Sequence, residues 1–218
     1  MRRLTLASTG ILAMAAGLLP ASAADIQRRA PMPTKAPAYY QQAYNWTGAY
    51  VGINGGYGWG NTGVSAPFPG SFNLNGGLIG GTLGYNWQAG PAVFGLETDL
   101  DWTNIKGNGA CDGTTCQVRN SWLGTTRGRL GFAADRFMPF VSGGLAYGNI
   151  RNTVAGVGDN SITKAGWTLG GGVEAALAGP WTAKVEYLYV DLGRGGTVAG
   201  SDASFQTNIV RAGVNYRF

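Results

Sequence analysis

Histidine is absent from all 218 residues. That removes the usual general base of hydrolases and the imidazole that most zinc, copper and haem sites use. Charge is also scarce, at 12 % of residues against roughly 25 % in a soluble domain. Beyond the amino end no apolar run reaches about eighteen residues, so helical membrane spans are excluded. Cysteine occurs twice, as Cys111 and Cys116 in one polar stretch. A metal would need further ligands that nothing nearby supplies, so a local disulfide across a loop is the reading. Beyond the first few residues only Arg28 and Arg29 are adjacent basic groups, so nucleic-acid binding has little support. Together these absences point away from an enzyme and from any metal or cofactor. Only carboxylate chemistry is left open.

Glycine is plentiful, at 38 residues. The amino end reads as a secretory signal over 1–23. Arg2 and Arg3 precede a short apolar core from Ile11 to Leu19 and the small-residue site Ala21-Ser22-Ala23. The core is too short for a membrane anchor, and Gly10, Gly17 and Pro20 interrupt it. Residues 24–45 carry Pro31, Pro33 and Pro37 without periodicity and read as an extended periplasmic linker.

From 46 to 218 the pattern is one of strands. The last is the clearest. Val210, Ala212, Val214, Tyr216 and Phe218 alternate with Arg211, Gly213, Asn215 and Arg217, and the chain ends on the apolar side. A final strand closing a barrel with its apolar face in lipid explains that ending. Seven more strands follow the same rule, at about 46–59, 77–87, 93–102, 119–132, 137–148, 165–177 and 181–191. The expected fold is all-β: an eight-stranded antiparallel up-and-down transmembrane β-barrel. The connections alternate between tight turns and stretches rich in Gly, Asn, Ser and Thr. The latter (60–76, 103–118, 149–164 and 192–204) read as long loops.

The tryptophans sort into two levels. Trp46, Trp87 and Trp181 fall at the short-turn side with Phe94, Phe132 and Phe218. Trp59, Trp102, Trp122 and Trp167 fall at the other, with Tyr147, Tyr189 and Phe205. Two aromatic girdles flanking an apolar band about 25 Å tall match an outer-membrane barrel. A soluble lipocalin-type barrel would turn these faces inward and leave a glycine-rich, charge-poor surface to water, which is a poor solvent face.

On the barrel reading the interior holds Glu97, Asp99, Asp101, Glu174 and Glu186 against Arg127, Arg129, Lys184 and Arg211. Confined charges must pair. The expected pairs are strand-three acids with strand-four arginines, Glu174 with Lys184, and Arg211 with Glu186. A polar plug is favoured over an ion-selecting constriction. Eight strands enclose a space that side chains just fill, and mixed charge selects poorly.

The segments WTGAYVGINGGYGWG, GGTLGYNWQ, WLGTTRGRLGFA, GWTLGGGVEAAL, WTAKVEYLYVDLG and TNIVRAGVNYRF resemble the small outer-membrane β-barrel proteins of rhizobia and related alpha-proteobacteria, the porin-family or OmpA-like group. The resemblance implies a surface protein of the cell outer membrane, active in envelope integrity and host interaction. It implies that Val214, Tyr216 and Phe218 form the assembly signal read by the barrel-insertion machinery. No catalytic residues carry over from it. Expected partners are outer-membrane lipid and lipopolysaccharide, a host or surface ligand through the loops, and no nucleic acid, with a monomer as the default. The alternative function is a small-solute porin with a narrow charged lumen.

Overall fold

The computed structural model describes residues 44–67, 69–111 and 113–218. The expected signal peptide at 1–23, and all but the last two residues of the expected linker, lie outside them. Eight antiparallel strands form a closed barrel: β1 Gly48–Val64, β2 Gly70–Ala89, β3 Ala92–Cys111, β4 Thr114–Phe132, β5 Phe137–Val154, β6 Gly158–Ala176, β7 Trp181–Val198 and β8 Ser201–Arg217. Closure joins β1 to β8, with Val51 opposite Tyr216 and Ile53 opposite Val214.

The pairing fixes the barrel's width. Following partners once round the wall runs Val51, Leu83, Thr98, Thr126, Leu145, Trp167, Asp191, Gln206 and returns to β1 at Asn61, ten residues further along. With eight strands about 4.8 Å apart, that shear sets a tilt of about 40° and a backbone radius of about 8 Å. Such a tube has room for side chains and little else. Small residues on its inner wall make that room. A side chain added at Gly80 would collide with the Asp101 carboxylate, at Gly84 with the Tyr50 ring, and at Gly172 with Glu186.

The outer wall carries an apolar band. Ile53, Ile79, Leu83, Leu96, Leu100, Leu130, Val141, Leu145, Leu169, Val173, Val185 and Val214 are all exposed. Below it, toward the chain termini, lie Trp87, Phe94, Phe132, Trp181 and Phe218, and above it lie Trp59, Trp102 and Trp167. Along β3 the step from Phe94 to Trp102 climbs about 20 Å at about 2.5 Å per residue along the axis. An uncovered apolar belt of that height, edged by aromatics, fits hydrocarbon and no aqueous surface.

Three expectations need correction. The stretches read as long loops are mostly wall: above the upper aromatics the strands continue, so that β1 runs to Val64 before β2 starts at Gly70, β3 to Cys111 before Thr114, β5 to Val154 before Gly158 and β7 to Val198 before Ser201. The polar composition that suggested loops is the outer face in water. On β3, Asn104, Lys106 and Asn108 point out, while Ile105 and Cys111 are buried within. Trp46 belongs to no girdle: it is fully buried, capping the interior at the terminal end with Val93, Met138 and Ala176. Phe205 is also fully buried, because parity on β8 turns it inward with Ala203 and Ile209.

Candidate functional site

The interior is stacked in three layers. The terminal end holds the Trp46 cap. Its backbone N–H donates to Gln88 Oε1 at 2.7 Å, and the Arg217 guanidinium lies 5.6 Å from its ring. The distal half holds an apolar core that includes Leu74, Ile105, Val118, Ile150, Val190 and Phe205. Between them lies the ionic layer, which takes in all nine charged residues expected inside.

Each of those residues reaches the axis by strand parity. Glu97, Asp99 and Asp101 alternate on β3; Arg127 and Arg129 on β4; Lys184 and Glu186 on β7. Arg127 is the hub. Its Nη2 lies 2.6 Å from both Glu97 Oε1 and Asp99 Oδ2, and its Nη1 lies 2.8 Å from Glu186 Oε2 and 3.1 Å from Ser142 Oγ. Arg211 spans the tube, donating through Nε to Glu186 at 2.9 Å, Nη1 to Asp101 at 2.9 Å and Nη2 to Asp99 at 2.7 Å. Arg129 joins Glu97 at 3.1 Å to Glu174 at 2.7 Å. Charged hydrogen bonds of this density offset the desolvation that isolated ions would suffer.

One expected pair is redirected. Glu174 and Lys184 are register partners on β6 and β7, yet they form no ion pair among the described residues. The Lys184 ammonium instead reaches Glu97 at 2.8 Å and Glu186 at 3.1 Å. Glu174 takes Arg129, with Thr182 donating at 2.6 Å and Asn215 at 3.1 Å. In so narrow a tube, long side chains find partners across the axis as readily as along the sheet.

Neutral members of the layer escaped the sequence reading. Tyr50 donates to Glu97 Oε2 at 2.8 Å and accepts from Arg129 at 2.8 Å. Thr82 and Thr125 donate to the two oxygens of Asp99, at 2.7 and 3.0 Å. Parity was the signal: Tyr50 alternates with the outward Val51 and so had to point inward.

Arg127 and Glu97 are 0 % exposed, and Asp99, Glu186 and Arg211 are 1 % exposed. Side chains this buried and this densely paired hold the wall together. Two further sets stand elsewhere. Cys111 and Cys116 are bonded to each other at the distal tip of the β3–β4 hairpin and face the apolar core. Val214, Tyr216 and Phe218 face outward, with the Tyr216 ring 5.1 Å from Trp181 and 5.3 Å from Phe218.

Comparison with known proteins bears on this architecture. A family model described as "Outer membrane protein beta-barrel domain" matches residues 11–218. The chain is 37 % identical over 230 residues to the 31 kDa outer-membrane immunogenic protein of Brucella melitensis, covering 91 % of this chain and 93 % of that protein. It is 33 % identical over 149 residues to a 22 kDa outer membrane protein of Rhizobium leguminosarum bv. viciae, covering 68 % and 65 %. Among solved structures it is similar to Neisserial surface protein A, with a TM-score of 0.48 at 19 % identity, covering 79 % of this chain and 98 % of that one.

Proposed function

The chain belongs to the outer membrane protein β-barrel domain family and is a protein of the outer membrane, and from that premise we propose that it works as a sealed barrel whose task is structural and superficial rather than catalytic or conductive. The observation that carries this reading is the dry ionic layer: Arg127 and Glu97 at its centre have no exposure at all. A solute path needs polar groups that touch water along its length. Here the polar groups are spent on one another.

The excursions beyond the apolar band, strand and turn together, are long at the distal end and short at the terminal end, and the rule that the short ones face the periplasm puts the distal end outward. Wall of this kind rises beyond the hydrocarbon there. On β3, Thr103–Cys111 spans nine residues, about 30 Å along the strand at about 3.3 Å per residue. A rigid, polar-faced collar suits contact with the cell's surroundings and with the outer leaflet. The outward set Val214, Tyr216 and Phe218 acts as the signal for insertion. The nine charged residues serve the fold, not a reaction, and the barrel is a monomer because closure leaves the β1 and β8 edges paired.

The test is made in the source bacterium. A strain lacking this chain should become more sensitive to detergent, and the wild-type chain should restore resistance. Unchanged sensitivity across detergents and chelators would remove the envelope role.

A further inference from the structure

We propose that the outer wall of the distal half carries a binding site for the phosphate groups of an outer-leaflet glycolipid, formed by Lys106, Arg119 and Arg151. Three neighbouring strands place these cations in one row. Lys106 on β3 is the register partner of Arg119 on β4, and Arg119 is the register partner of Arg151 on β5. Side chains opposed in this way start about 4.5–5.5 Å apart, and like charges so placed repel. All three are exposed. Among the described residues one acid answers them: Asp159 lies 2.6 Å from Arg151. Among the described residues no ion pair reaches Lys106 or Arg119. An ordinary solvated face intersperses its signs. This one concentrates a single sign and, among the described residues, leaves two of three cations without an ion-pair partner.

The wall is also shaped around two of the three. Arg119, Arg151 and Asp159 line a polar cleft of about 310 Å³ with Gln117, Ser121 and Thr153. Within the apolar band the odd residues of β4 point inward, as Thr125, Arg127 and Arg129 do. Continued upward, that parity would bury Arg119. The irregularity between Arg119 and Leu123 reverses it, so Arg119 faces out and Val118 faces in. Asn149 Oδ1 holds the reversal by accepting from the N–H groups of Ser121 at 2.8 Å and Trp122 at 3.2 Å.

Height selects the ligand. Lys106 lies four residues beyond Trp102, and Arg151 four beyond Tyr147. That is about 10 Å above the aromatic belt, which itself marks the edge of hydrocarbon. The row therefore stands at the level of lipid headgroups. It rests on the outward orientation of the distal end argued above, and it fits phosphates fixed at that level better than an anion free in water.

The test uses the full chain, folded in neutral detergent micelles, and three probes: a bisphosphorylated lipid A, the same lipid with its phosphates removed, and inorganic pyrophosphate. The phosphorylated lipid should bind and raise the unfolding midpoint. The variant Lys106→Gln/Arg119→Gln/Arg151→Gln should bind roughly tenfold more weakly or worse. Without lipid, that variant should fold with the same gel mobility and an equal or higher midpoint, since repulsion is relieved. Arg194→Gln, an exposed cation outside the row, should bind as the parent does. If the triple variant does not fold, Arg119→Gln alone must show the loss. Equal affinity of variant and parent, or equal affinity for the stripped lipid, would overturn the site. Pyrophosphate displacing the lipid completely at matched concentration would overturn the lipid assignment. A conducting barrel would show itself as current and leave these affinities untouched, so the two readings fail separately.

Discussion

Removing Arg127 leaves Glu97, Asp99 and Glu186 facing one another with almost no solvent exposure. Arg127→Met should therefore lower stability by about 3–5 kcal/mol, read as a shift of the urea midpoint in lipid vesicles. Arg127→Met/Glu97→Gln should be less damaging than the sum of its parts, because one orphaned carboxylate is neutralised with its partner. An additive double variant would mean that the layer is not one network. The glycines make a second claim at this scale. Valine favours strands, yet Gly172→Val should destabilise the barrel by about 1–3 kcal/mol, because the added side chain would meet the Val185 carbonyl and the Cα and Cβ of Glu186. A neutral result in the same assay would show slack in the wall. The nine charges were legible from parity alone, whereas their partners were not. Lys184 chose Glu97 across the tube over its register partner Glu174, and no strand-by-strand reading contains the diameter of the tube.

Strand faces within the apolar band were plain in the sequence, because lipid outside and charge inside give the alternation its greatest contrast. Beyond the band the contrast inverts. Water now lies outside and apolar packing inside, so Asn149-Ile150-Arg151 turns its apolar residue inward and its flanking polar ones outward. A reading tuned to apolar-out strands takes such segments for loops. β4 adds a further obstacle, since its phase reversal hides Val118 and Arg119 on the wrong faces for anyone counting by twos. The reversal also yields a prediction. Asn149→Ala leaves the backbone N–H groups of Ser121 and Trp122 without their acceptor, and Asn120 remains the nearest support through its bond to the Asn149 carbonyl at 2.7 Å. The variant should lose about 1–3 kcal/mol. Hydrogen exchange should rise around 119–123 and stay unchanged at the terminal turns. Uniform protection in the variant would mean that the side chain does not hold the reversal.

At the scale of the whole molecule, strand number and shear leave a tube about 8 Å in backbone radius, and everything else follows from filling it. An ionic layer spans the lipid level, an apolar core fills the collar above, and Trp46 closes the terminal end. Strand number was legible because turn signals and aromatic levels repeat. The cap was not, since Trp46 looks like one more interfacial tryptophan until closure of the barrel shows which way it turns. On this proposal the ionic layer keeps the barrel shut. Current through single purified, folded molecules in a planar lipid bilayer tests it most directly. Insertions confirmed by heat-modifiable mobility should give no steps over many trials. Reproducible unitary steps, altered in size by Glu97→Gln, would contradict the account.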